Sequence, residues 1–223
     1  MLVGASLAAG QRTEVSMFPD LSRDDVFRLE TARLWLRWPR LIDASAIQRF
    51  CSLWEVARYT ARVPHPYPPG SAERFIYAAR EGNARGRELT LVITPKKGKR
   101  EVVGSISLES RGADRLTLAF ALAPEAWGRG FATEAARAMV NAGFALTQTV
   151  EFLANVRVED AASCAVLKKC GFELASTGLK GAPARNSLLE HRTFRLGRDS
   201  WRESLPVHGW SVQALPSSAS QPS

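Results

Sequence analysis

LAPEAWGRGFATEA, residues 122–135, joins an apolar run closed by proline to a stretch with helical spacing. Gly128 and Gly130 flank Arg129 at that junction. Glycines there let the main chain adopt left-handed conformations and approach a bound group closely, because no Cβ intervenes. The first amides of a helix lack intrahelical acceptors and carry partial positive charge, so such a turn can cradle a phosphate. On spacing alone, a phosphate cradle and a plain strand-to-helix turn are equal readings. Two nucleotide motifs are excluded. No G-x-x-x-x-G-K-S/T occurs, and Thr133 stands where the third glycine of G-x-G-x-x-G would fall.

Three strand-like segments precede the junction: ELTLVITP (88–95), EVVGSISLES (101–110) and RLTLAFALAP (115–124). The turn-rich links PKKGKR and SRGAD make them an antiparallel meander. Further upstream, TARLWLRW (31–38) alternates Leu34 and Leu36 with Arg33, Trp35 and Arg37, as a half-buried strand does. Two amphipathic helices follow it, ASAIQRFCSLW with Asp43 as N-cap and AERFIYAAREG with Ser71 as N-cap and Gly82 at its end. After the junction, FATEAARAMVNAGFALTQ is a helix with Glu134 in its first turn, where a carboxylate suits the helix dipole. VEFLANVRV is a strand, DAASCAVLKKCGF (160–172) a short helix ended by Gly171, and RTFRLG a last strand. The order β-α-α-β-β-β-α-β-α-β predicts an α/β (α+β) fold, one mixed, largely antiparallel sheet flanked by helices.

The 223 residues fit one domain with tails: a loose extension over 1–27, a folded domain over 28–201 and a disordered Ser/Pro-rich tail over 202–223. Met17 is an alternative start, since patterned sequence begins only after it. Thirty Lys and Arg against 22 Asp and Glu give a formal charge of +8. The basic residues are scattered, which argues against a nucleic-acid partner. No apolar run approaches the ~20 residues of a membrane span. Cys51, Cys164 and Cys170 form no disulfide framework, and no Cys/His cluster has metal spacing, so a cytoplasmic protein without metal is expected.

LAPEAWGRGFATEA resembles the acyl-CoA motif of the GCN5-related N-acetyltransferase (GNAT) superfamily, nearest its branch of ribosomal-protein N-terminal acetyltransferases. DAASCAVLKKCGF resembles the Asn-x-x-Ser … Lys-x-Gly-Phe helix of that branch, and LETARLWLRW and EVVGSISL its first and third strands. The likeness runs from about Leu29 to Trp201. It implies transfer of an acetyl group from acetyl-CoA, as co-substrate, to an amine acceptor, protein or small molecule, by a monomer or homodimer. A catalytically silent acyl-CoA-binding module is the alternative.

The resemblance also implies residue roles. A splayed strand pair admits pantetheine, which pairs with the main chain of Leu122 and Ala123. Amides of Gly128, Arg129, Gly130, Phe131 and Ala132, with Thr133, hold the pyrophosphate, and Trp127 packs the turn beside the cofactor. An amide near Leu122 stabilises the oxyanion, and Ser163 donates to the departing sulfur. Leu167 stands where many relatives have a tyrosine acid. Asp160 replaces an asparagine that contacts pantetheine. Thr117 replaces a glutamate, which makes Glu109 the substitute base or, equally, a solvated strand-end carboxylate. VPHPYPPGS (63–71) falls at the substrate-side loop, where His65 and Tyr67 select the acceptor or the prolines simply stiffen a wall.

Overall fold

ELTLVITP is apolar almost throughout, and such a strand is stable only with both faces covered. The computed structural model describes residues 16–112 and 114–204 and places this segment within an eight-stranded sheet. The strands are β1 (Arg28–Glu30), β2 (Leu34–Arg37), β3 (Glu88–Pro95), β4 (Gly104–Ser110), β5 (Arg115–Leu122), β6 (Glu151–Arg157), β7 (Glu173–Ala182) and β8 (Ser187–Gly197). Their order is β1-β2-β3-β4-β5-β6-β8-β7, antiparallel throughout except for β5 beside β6. The helices are α1 (Ala44–Cys51), α2 (Trp54–Ala57), α3 (Ser71–Ala84), α4 (Phe131–Leu146), α5 (Ala161–Lys169) and α6 (Arg198–Ser204).

Strand alternation divides the core into two layers. Leu89, Leu91, Ile93, Ile106, Leu108, Leu116 and Leu118 pack with Phe131, Ala135 and Met139 of α4. Val92 and Ala123, on the opposite face, pack with Ile47 and Phe50 of α1 and Ala72 and Ile76 of α3. Burying each large apolar side chain is worth about 1.5–3 kcal/mol, so these layers fix the helices to the sheet. Gly143 lets α4 press against it: a Cβ there would lie 2.9 Å from Leu108 Cδ1 and in collision with the Phe152 ring. Phe144 packs edge-on to Phe152 with centroids 4.6 Å apart and stacks on Trp201 of α6 at 4.7 Å.

The sheet class matches the sequence expectation, but several local features differ. Asp43 makes no side-chain cap to α1; both its oxygens accept from the Arg37 guanidinium at 2.8 Å, and Oδ2 also accepts from the Arg40 amide at 2.7 Å. Gly70, at φ +75°, caps α3, while Ser71 is its first residue and accepts from Arg74 at 2.7 Å. Gly82 lies inside α3 and does not end it. Of residues 16–27, expected to be loose, Phe18, Ser22 and Phe27 are buried, and the Met17 and Phe18 amides donate to Gly86 O. The remainder of the extension, and the tail beyond residue 204, lie outside the described residues. β1, β7, α2 and α6 are additions to the expected order.

Candidate active site

β5 and β6 pair at only three positions, Arg115 with Glu151, Leu116 with Phe152 and Thr117 with Leu153. Beyond Thr117 they part, each still bonded to its other neighbour, β4 or β8. A cavity of about 1620 Å³ runs along the gap and on beneath α3. The Ala123 amide donates to Val103 O at 2.8 Å, so the antiparallel alternation turns the main-chain groups of Phe120 and Leu122 into the gap. The Leu122 carbonyl accepts from the Trp127 indole at 2.8 Å, which leaves its N–H open. Ala123 departs from expectation. Its N–H is bonded to Val103 and its carbonyl to the Ala126 amide, so Phe120 supplies the second set of exposed main-chain groups.

Gly128 and Gly130 have φ of +70° and +75°, the left-handed region in which glycine is favoured. The first helical bond of α4 runs from Glu134 N–H to Gly130 O, so the amides of Gly128 through Thr133 precede the helical ladder. Gly128, Gly130, Phe131, Ala132 and Thr133 line the cavity. The exposed Arg129 guanidinium stacks on Phe131 at 4.5 Å and forms no ion pair among the described residues. Trp127 is 46% exposed, pinned by its indole N–H at the cavity wall.

Glu134 does more than face the helix dipole. It accepts from the Thr31 hydroxyl and the Arg33 guanidinium, both at 2.6 Å, and from the Arg33 amide at 2.8 Å. Burial pushes its carboxyl up, but these three donors outweigh burial and hold it below the ordinary range. Arg33 also donates to Arg129 O at 2.9 Å, so the turn between β1 and β2 fixes the glycine turn. Lys169 of α5 lines the cavity and a second one of about 550 Å³ behind the turn.

Asp160 caps α5, its Oδ1 accepting from the Ser163 amide at 2.9 Å. That bond explains an acidic residue at this position: Asp is among the preferred N-caps. Among the described residues the Ser163 hydroxyl has no hydrogen-bond partner, and it lines the cavity.

Across the sheet, Glu88, Glu109 and Thr117 are register neighbours and share one face, the face beneath α3. Arg62 grips both Glu109 oxygens, with Nη2 2.7 Å from Oε2, and Arg111 approaches at 3.4 Å. Glu88 fits against α3 because residue 82 is glycine; a Cβ there would fall 2.6 Å from its Cδ. Burial, then the Glu109 charge, raises the Glu88 carboxyl above its ordinary 4.5. The folded state therefore binds this proton more tightly than the unfolded chain, and its stability falls as pH rises through and above that value. Glu88→Gln is expected to melt higher than wild type at pH 7, with the gap closing toward pH 4; equal melting curves at pH 7 would contradict the burial.

The substrate-loop expectations divide. Tyr67 lines the cavity, but its hydroxyl lies against Cys51, whose thiol burial pushes up to about 12. His65 is exposed, tilts over Trp54 at 5.2 Å and stands outside the cavity lining. Phe120, Arg33, Lys169, Glu88 and the buried His191 belong to the site or its support and were not expected from sequence. Counting strand parity back from Leu122 identifies Phe120; the others carry no local signal. Among the described residues no His/Cys/Asp/Glu group is placed to hold a metal, and no helix is long and apolar enough to cross a membrane.

The family model of the acetyltransferase (GNAT) domain matches residues 33–173, and the chain belongs to that family. Solved structures share its fold. RimJ of Mycobacterium smegmatis, in complex with CoA-disulfide, has 22% identity and a TM-score of 0.65 over 74% of this chain and 82% of its own. The ribosomal-protein-S5-alanine acetyltransferase of Vibrio fischeri has 16% identity and a TM-score of 0.67 over 78% and 98%. The spermidine N-acetyltransferase of Vibrio cholerae, in complex with CoA and spermine, has 16% identity and a TM-score of 0.64 over 77% and 99%.

Proposed function

We propose that the protein transfers the acetyl group of acetyl-CoA to a primary amine, of a protein N-terminus or a small molecule, by direct attack in a ternary complex. The observation that carries this reading is the gap between β5 and β6, which ends on the Gly128–Thr133 amides and is flanked by the unbonded Ser163 hydroxyl. The residues suit the co-substrate. Exposed main-chain groups of Phe120 pair with pantetheine amides, which leaves the Leu122 N–H for the thioester, and the α4 amides, with Arg129 beside them, hold the pyrophosphate. Acetyl-CoA supplies an activated thioester. The amide at Leu122 polarises its carbonyl oxygen, and the Ser163 hydroxyl donates to the departing sulfur.

An acceptor amine is mostly protonated at neutral pH and must lose a proton before attack. Glu109 is not placed to take it, because both its oxygens already accept from Arg62 and Oε2 also from Arg111. It serves instead to anchor Arg62 over the acceptor side. Ser163→Ala is expected to lower turnover by about 10²-fold with CoA affinity unchanged; unchanged turnover removes the hydroxyl from the reaction.

The test is thiol release from acetyl-CoA with spermidine, lysine and peptides bearing N-terminal Ala or Ser. Turnover with any of them supports the enzyme. CoA binding without turnover on the panel favours the silent acyl-CoA-binding module.

A further inference from the structure

His191 is 4% exposed and yet lines the cavity. It stands on β8 opposite Arg157 of β6. Alternation along β6, and the pairing of Leu153 with Thr117, put it on the same sheet face as Asn155, Leu153 and Thr117. It therefore flanks the acceptor side of the gap across from Glu109. Its Nδ1 lies 2.8 Å from Leu189 O. A carbonyl can only accept, so Nδ1 carries the hydrogen and Nε2 the lone pair. Among the described residues Nε2 has no hydrogen-bond partner, and it is not one of the polar atoms sealed from solvent. The chamber is thus presented with one basic nitrogen whose orientation is already fixed.

The carboxylates nearby are otherwise engaged. Glu109 is held by Arg62 and Arg111, Glu159 is paired with Arg157 at 3.0 Å, and Asp160 caps α5. Glu88 is three strands from β6, and Glu55 is solvent-exposed.

We infer that His191 is the general base of the acetyl transfer, with Nε2 removing a proton from the acceptor ammonium directly or through one water. This rests on the acetyltransferase reading. Nε2 takes the first proton and later passes it to solvent. The freed nitrogen lone pair forms the N–C bond, the C–S bond breaks with its electrons leaving on sulfur, and the second amine proton ends on the thiol. One ammonium and one thioester thus give an amide, a thiol and one proton. The Nδ1–H bond to Leu189 persists in both charge states of the ring, so nothing has to reorient.

His191→Asn is the informative variant, because its side-chain amide can keep the bond to Leu189 O while nothing replaces Nε2. The full-length protein is assayed with acetyl-CoA and the amine panel, alongside CoA affinity and ¹⁵N-histidine NMR at pH 9. Three results are expected: turnover lowered about 10²-fold or more, CoA affinity unchanged, and partial recovery with added imidazole. The NMR signal lost in the variant is expected to show the Nδ1–H tautomer in wild type. Wild-type turnover in the variant, a loss that imidazole does not relieve, or an Nε2–H tautomer each overturns the base and leaves acetyl transfer standing. Wild-type protein that binds CoA but acetylates no amine overturns both.

Discussion

Gly130→Asp is expected to weaken CoA binding by about 100-fold or more, close to 3 kcal/mol. Position 130 sits at φ +75°, and a Cβ there meets Arg33 Nη2 at 3.3 Å. An aspartate tolerates this backbone better than most residues, so strain alone is a minor part of the loss. The larger part is charge. A carboxylate about 4 Å from a phosphate repels it by about 4 kcal/mol under the screening typical of a protein surface. Pairing with Arg33 would relieve some of that repulsion, but only by drawing Arg33 away from Arg129 O and loosening the turn. Gly130→Asn keeps the size and the backbone tolerance without the charge, so calorimetric CoA titration of the two variants separates the effects. Added salt should narrow the difference between them. If Asp and wild type bind CoA alike, the pyrophosphate does not lie on this turn.

Phe152→Ala is expected to cost about 3–5 kcal/mol of folding stability, read from urea unfolding. Phe152 is fully buried, edge-on to Phe144 and in the space left by Gly143. It is also one residue short of the last paired position between β5 and β6. The cavity created would lie where the two strands are still held together, so the opening of the gap loses its fixed angle. A loss below about 1 kcal/mol would show that the site collapses freely and that α4 does not clamp the strands there.

The features legible in the sequence were those with local causes. The glycine turn is readable because backbone conformation itself demands glycine at 128 and 130. The meander is readable because its turn-rich links interrupt apolar runs. β7 was not, since it is exposed along nearly its whole length and carries no alternating apolar signal. Asp43 was misassigned because its partner is a guanidinium on the preceding strand, whereas a cap is sought one turn ahead. The partners of Arg33 lie about 100 residues away and the face of His191 is set by strand register, so no spacing rule reaches either. The proposed co-substrate half of the site is thus written in backbone requirements, while the proposed acceptor half depends on which distant segments are brought side by side.

Arg185 shows what that difference entails. From the turn between β7 and β8 it donates to Ala57 O at 2.6 Å and Val63 O at 3.1 Å, while the Ala184 amide bonds to Ala61 O at 3.0 Å. The segment roofing the proposed acceptor chamber is thereby latched to a hairpin more than 120 residues away, through main-chain carbonyls that any sequence provides. Side chains on either piece other than Arg185 can change without breaking the latch and without touching the glycine turn. Acceptor preference can therefore drift through evolution while the machinery that grips CoA stays constant.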